Sequence, residues 1–206
     1  MATPASVHVP RAAATGLPLV VFAHKGENWI RGSERCLLDL VARLDPERFR
    51  RLVICDAPAL ADAATACGAD VVRLATWTRG GVGPARIRLR LRPLLRTRGA
   101  ALVHANMPDV LSVTAPLARE LGAPVVAHLH LPYAAFGERH RAHVRRCAAI
   151  VGVAEHVVAP LRALPDVAPR VRVSSPEPSS AMTSWRGSSR CASTLCSTSC
   201  RARGQL

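Results

Sequence analysis

The sequence predicts an α/β fold, a doubly wound, Rossmann-like parallel sheet over residues 17–173, and three observations carry that prediction. Short continuous apolar runs recur along the chain, the pattern of strands buried on both faces. Between them lie stretches with apolar residues at helical spacing. The two kinds alternate at intervals that require parallel pairing with right-handed crossovers.

Residues 1–16 are small and polar with two prolines, and are expected to form a flexible leader. Leu17 to Ala23 is the first apolar run. Ser33 to Leu44 carries Leu37, Leu38, Val41 and Leu44 on one side, and Asp45-Pro46 ends that helix. Arg51 to Cys55 reads as the second strand and Ala57 to Cys67 as a helix stopped by Gly68. Asp70 to Leu74 is the third strand, followed by a glycine-rich connector over 80–84 and a basic helix from Ala85 to Arg98. Ala100 to Ala105 is the fourth strand, Pro108 to Leu121 a helix stopped by Gly122, and Pro124 to His130 the fifth strand. A helix over 137–147, a strand over 149–153, a helix over 155–164 and the start of a seventh strand at Arg170 to Val173 complete the alternation.

The pattern stops there. Residues 174–206 hold ten serines, three cysteines and one acid, Glu177, with almost no aliphatic periodicity. This tail is expected to be disordered or to arise from translation out of frame.

Composition narrows the function classes. At 49% apolar residues the chain can bury a core, and no apolar run reaches the ~18 residues of a membrane span. The first residues lack the layout of a secretory leader, so a cytoplasmic address is expected. The net charge of +14 invites a polyanion partner, but Lys25 is the only lysine among 28 basic residues, a skew that a GC-rich gene produces regardless of function. No nucleic acid is expected as a partner; peripheral contact with anionic membrane is compatible with the charge. Cys36, Cys55, Cys67 and Cys147 sit singly in apolar segments and behave as small hydrophobes. Cys191, Cys196 and Cys200 lack zinc-binding spacing, so no metal is expected.

In sheets of this kind ligands bind beyond the carboxyl ends of the strands, which singles out residues 24–32, 105–108 and 130–136. His24 to Glu34 leaves the first strand, forms a glycine-containing loop and opens the first helix. Unpaired N–H groups and the positive helix end then suit a phosphate, and Gly32 permits close backbone approach. The plainer alternative is that Gly32 and Ser33 cap the helix. Gly80-Gly81-Val82-Gly83 follows no strand with dinucleotide-binding spacing and reads as a connector. His140 and His143, on a basic helix, read as solvated, as do the seven arginines from Arg79 to Arg98.

Four segments, in order, resemble family 4 glycosyltransferases of the GT-B fold. Arg31-Gly32-Ser33-Glu34-Arg35-Cys36-Leu37-Leu38-Asp39-Leu40 is similar to the segment that opens the family's first helix. Leu102-Val103-His104-Ala105-Asn106 is similar to its fourth strand, Pro124 to His130 to the strand that ends in a functional histidine, and Ala149 to Glu155 to a strand and turn usually written with serine where this chain has Ala154.

The resemblance implies the N-terminal, acceptor-side half of a retaining transferase. It moves a sugar from a nucleotide-diphosphate donor, a co-substrate and not a resident cofactor, to a glycan, lipid or small-molecule acceptor. It implies that the Gly32 amide approaches the donor diphosphate and that His130, as the catalytic residue, contacts the transferred sugar or acceptor hydroxyls. Asn106 and His104 are weaker acceptor-binding candidates, and Asn106 serves equally to shape a turn. Glu34 is stabilising in the first helical turn through the helix dipole alone. Where the family commonly has a first glycine this chain has Arg31, which either pairs with phosphate or crowds the loop. The family's donor-binding second half has no counterpart after Val173, so the 206-residue chain alone is expected to be inactive. A non-catalytic basic protein that binds nucleic acid or anionic membrane, and a nonfunctional gene remnant, are the rival readings.

Overall fold

The structure, a computed structural model, describes residues 16–74 and 83–174. Residues 1–15 of the expected leader over 1–16, the connector glycines Gly80 and Gly81, Arg79, and residues 175–206 of the tail over 174–206, with its three cysteines, lie outside the described residues.

Seven parallel strands form one sheet. In chain order the elements are β1 (Leu19–Ala23), α1 (Gly32–Arg43), β2 (Arg50–Cys55), α2 (Pro58–Ala66), β3 (Asp70–Arg73), α3 (Gly83–Arg98), β4 (Ala100–Asn106), α4 (Leu111–Glu120), β5 (Val125–Leu129), α5 (Glu138–Arg145), β6 (Ala149–Gly152), α6 (Glu155–Arg162) and β7 (Val171–Val173). The strands lie in the order β3-β2-β1-β4-β5-β6-β7. The chain first winds outward from β1 through β2 to β3, then returns to place β4 on the other side of β1. This reversal opens a crevice at the carboxyl ends of β1 and β4.

Alternation along each strand divides the core in two. Val21, Ala23, Leu52 and Ile54 pack with the apolar stripes of α3, α4 and α6, including Ile87, Leu91, Leu117 and Leu161. Phe22, Val53 and Cys55 face the other way, onto Leu37, Leu38 and Val41 of α1 and Leu60 and Ala64 of α2. Both sets are buried, as the continuous apolar runs require. Burial pushes the thiols of Cys55 and Cys147 up to about 12, so these two are the inert small hydrophobes that the sequence suggests.

Gly68 and Gly122 end α2 and α4 at φ +77° and +69°. In each case the next residue's N–H reaches back into the last turn, Ala69 to the Ala64 carbonyl at 3.1 Å and Ala123 to the Ala118 carbonyl at 2.9 Å. Both are left-handed helix stops that a side chain would strain.

The expected helix over 108–121 is divided. Pro108–Val110 forms a 3-10 turn before α4 begins at Leu111, and the residue that precedes the turn, Met107, holds φ +136°. A further 3-10 turn, Tyr133–Ala135, sits in what reads as loop from the sequence, and α5 is shorter than its expected 137–147. Among the described residues no helix is long and apolar enough to cross a membrane.

Candidate functional site

The crevice beside β1 and β4 is floored by polar residues whose positions follow from strand register. Ala23 pairs with Ala105, so His24, just past the end of β1, stands beside Asn106, the last residue of β4, which itself pairs with His128 of β5. On the same face, Phe22, His104, His128 and His130 form a row of rings. Centroids are 5.4 Å apart for Phe22 and His104, 5.4 Å for His104 and His128, and 4.4 Å for His128 and His130.

His24 is buried and bridges two elements. Its Nδ1 lies 2.8 Å from the main-chain oxygen of Asn106 and its Nε2 2.8 Å from Oε1 of Glu34 on α1. The other carboxylate oxygen, Oε2, accepts from the Arg31 N–H and the Ser33 hydroxyl, each at 3.1 Å. Burial works against the Glu34 carboxylate. The His24 bond, the main-chain N–H groups and the His24 charge outweigh it and hold the carboxyl below its ordinary range. Glu34 is thus more than a dipole partner: it ties the first turn of α1 to the end of β1.

Gly26 passes directly over this pair. A Cβ at Gly26 would stand 2.8 Å from Glu34 Oε1 and 2.9 Å from His24 Nε2. Its N–H is held by Asp56 Oδ1 at 3.1 Å, which fixes the loop against the end of β2.

Asn106 is wholly buried and is the clamp of the site. Its Nδ2 donates to the Ser33 carbonyl at 2.9 Å, and its Oδ1 lies 2.9 Å from His130 Nε2. Because the amide nitrogen must face the Ser33 carbonyl, the oxygen faces His130, which therefore donates through Nε2–H and keeps the Nδ1 lone pair free of that bond. Met107, next in sequence, holds φ +136°, a conformation that costs on the order of 1–3 kcal/mol.

The first turn of α1 and the His130 imidazole are therefore joined through one amide side chain on one rim of the sheet. His130 is half-buried, and burial, with His128 and His24 nearby, brings its pKa down to about 4. It is a neutral imidazole near neutrality. Gly32 is exposed, with open space where a Cβ would stand, so packing does not account for the glycine. Arg31 is exposed at the helix N-cap, its guanidinium 4.1 Å from the ring centroid of Trp29, itself 45% exposed.

Two sequence candidates stand differently. Asn106 and His104 are buried. Their place is beneath the site, where Asn106 holds both α1 and His130. His24, Gly26 and His128 are part of the arrangement but do not stand out in the sequence, where no spacing rule joins them. The one available signal was the polar alternation His24, His104, Asn106, His128, His130 at strand ends that should otherwise be apolar. A separate pocket at the opposite end of β5, around Arg119, His143, Arg146 and Arg170, has none of this network.

Comparison with known proteins agrees with this fold. The model of Glycosyltransferase Family 4 matches residues 30–176. The chain is similar to the solved structure of Anabaena Alr3699/HepE in complex with UDP and glucose, with a TM-score of 0.61 and 18% identity over 76% of this chain and 43% of that one. It is similar to the lipopolysaccharide outer core galactosyltransferase WaaB in its apo form, with a TM-score of 0.58 and 8% identity over 76% of this chain and 45% of that one. It is also similar to a putative UDP-N-acetylglucosamine 2-epimerase from Listeria monocytogenes, with a TM-score of 0.57 and 12% identity over 75% and 44%. At these identities the likeness establishes the fold and not the reaction. The chain spans less than half the length of each of these structures. No curated protein matches it.

Proposed function

Because the chain belongs to glycosyltransferase family 4, we propose that it forms the acceptor-side wall of a cleft in which a sugar passes from a nucleotide-diphosphate donor to a glycan, lipid or small-molecule acceptor. The observation that carries this reading is the single rim on which the open N-terminus of α1 and the neutral His130 are joined through Asn106.

The free N–H groups at Gly32 and the positive end of α1 stabilise the donor diphosphate as charge develops on it, and Arg31 adds a cation at the mouth. His130 Nδ1, free of the Asn106 bond, accepts a hydrogen bond from a sugar hydroxyl and orients the ring. Transfer proceeds with retention. The bond from the anomeric carbon to the diphosphate oxygen breaks, the acceptor oxygen attacks the same face, and its proton passes to the departing diphosphate. No metal or other cofactor enters this step. The exposed Arg86, Arg90 and Arg96 on α3, beside Leu89 at 67% exposure, suit an acceptor presented at an anionic membrane, with the protein peripheral to its cytoplasmic face.

Since the chain spans 43% of the UDP-bound relative, it supplies one wall and, on this reading, turns over no donor by itself. The test is a titration of the purified chain with UDP-glucose, followed by NMR. The reading expects the amides of residues 31–34 and the His130 ring to shift together, with no transfer or hydrolysis. Absence of those shifts at millimolar donor defeats the cleft assignment, and measurable transfer defeats the claim of inactivity.

A further inference from the structure

His128 is the anomaly of the site. It is 5% exposed, and neither of its ring nitrogens has a hydrogen-bond partner. A buried imidazole loses the hydrogen bonds it had with water, so leaving both nitrogens unpaired is costly unless something else occupies them. Nothing in the sugar-transfer reading uses His128.

Two other donors converge on it. One ligand atom from each of Cys36, His128 and His130 lies within 4.8 Å of the others. Cys36, two residues after Glu34 on α1, is half-buried with a free thiol. His130 is already oriented: its Nε2–H is committed to Asn106 Oδ1 at 2.9 Å, which leaves the Nδ1 lone pair available. An imidazole that donates from one nitrogen to an amide oxygen while presenting the other is the arrangement that commonly supports a metal-bound histidine.

We propose that Cys36, His128 and His130 form a three-ligand site for one zinc-type divalent cation, with the fourth position open to the crevice. One thiolate and two imidazoles are a borderline-soft donor set, matched to zinc and poorly matched to magnesium or calcium. Around tetrahedral zinc such donors stand about 3.5 Å apart, so the present span closes by about 1 Å on binding. Rotation of the Cys36 side chain and movement of His130, just beyond the end of β5, supply that closure. On binding, the Cys36 thiol loses its proton to solvent as the sulfur–metal bond forms, while the two neutral imidazoles donate lone pairs without losing a proton. Cys36 lies far in sequence from the closely spaced His128 and His130, so no single ligand spacing joins all three. The proposal stands apart from the transferase reading, although metal and sugar compete for His130 Nδ1 if both hold.

The test uses cobalt(II) as a spectroscopic stand-in for zinc on the purified, chelator-stripped 206-residue chain. A sulfur-to-metal charge-transfer band and tetrahedral ligand-field absorption should saturate at one equivalent and be displaced by zinc(II). Cys36→Ser should abolish the charge-transfer band, and His128→Gln should weaken metal binding at least about tenfold. The triple variant Cys191→Ser, Cys196→Ser, Cys200→Ser should keep the full signal. Circular dichroism and thermal melts of the metal-free variants confirm that each is folded, and a misfolded His128→Gln is replaced by His130→Gln, for which the same loss is expected. No charge-transfer band, a band that survives Cys36→Ser, or affinity unchanged by the histidine substitution in a folded protein would overturn the proposal, whatever the outcome with UDP-glucose.

Discussion

Gly26 is the residue at which the smallest chemical change meets the tightest contact. An added methyl would press on both Glu34 Oε1 and His24 Nε2, and neither can retreat, since His24 is tied to the Asn106 backbone and Glu34 to Arg31 and Ser33. Gly26→Ala is therefore expected to destabilise the fold by about 1–3 kcal/mol through overpacking. Urea denaturation reads the loss, and an unchanged midpoint would mean that the loop does not lie over the pair. Asn106→Ala removes a partner from three groups at once, the Ser33 carbonyl, His24 Nδ1 and His130 Nε2. The expected cost is about 2–4 kcal/mol, with the His130 ring resonances broadened or shifted in the native state. A variant of undiminished stability whose His130 resonances stay in place would show that Asn106 does not clamp them. His130 is bonded to Asn106 through Nε2, and that bond leaves its Nδ1 lone pair free.

At the scale of elements, the alternation of strands and helices was legible because each run had to satisfy one burial requirement. Leu37, Leu38 and Val41 could only face the sheet, and Val21, Leu52 and Ile54 could only be strand interior. The helix stops at Gly68 and Gly122 were legible for the same local reason, a left-handed residue where the helix ends. What was not legible was made by register. His24 meets Asn106 only because β1 and β4, 82 residues apart in the chain at those positions, are neighbours in the sheet. The turn at Tyr133–Ala135 and the break before α4 likewise depend on backbone conformations that no periodicity marks. Where β6 meets α6 the packing is close enough to test: a Cβ on Gly152 would overlap Cγ1 of Val158. Gly152→Ala should push α6 off the sheet and lower stability by about 1–3 kcal/mol. The double variant Gly152→Ala, Val158→Ala should recover part of that loss in thermal melts. If it recovers none, the contact is not what makes Gly152 necessary.

Among the described residues the molecule gathers His104 and His128 beneath one rim and half-buries His130 at it, and this makes its stability depend on pH in a definite direction. Burial, with His128 and His130 nearby, brings His104 down to about 3; burial lowers His128; and burial with neighbouring histidines brings His130 to about 4. The groups packed against them are Phe22 and His24 from β1 and its exit, and Glu34 and Cys36 from α1, of which only Glu34 offers a compensating negative charge. In the unfolded chain each imidazole takes up a proton near pH 6.5, whereas in the fold it resists doing so until well below that. The unfolded state thus binds more protons across that interval, and each group contributes a stability slope of up to about 1.4 kcal/mol per pH unit. The contribution is complete above about pH 6.5 and is lost as the pH falls toward the folded values. Glu34, whose carboxyl is held low, adds a further loss at more acid pH, as it is protonated. With a chelator present, urea midpoints should hold steady from about pH 8 to about pH 7 and fall continuously by about pH 5. His104→Phe, which extends the ring row from Phe22 without a titratable group, should flatten part of that fall. A midpoint indifferent to pH between about 7 and 5 would mean that water reaches these rings in solution, and the dry polar floor on which His130 is positioned would have to be abandoned.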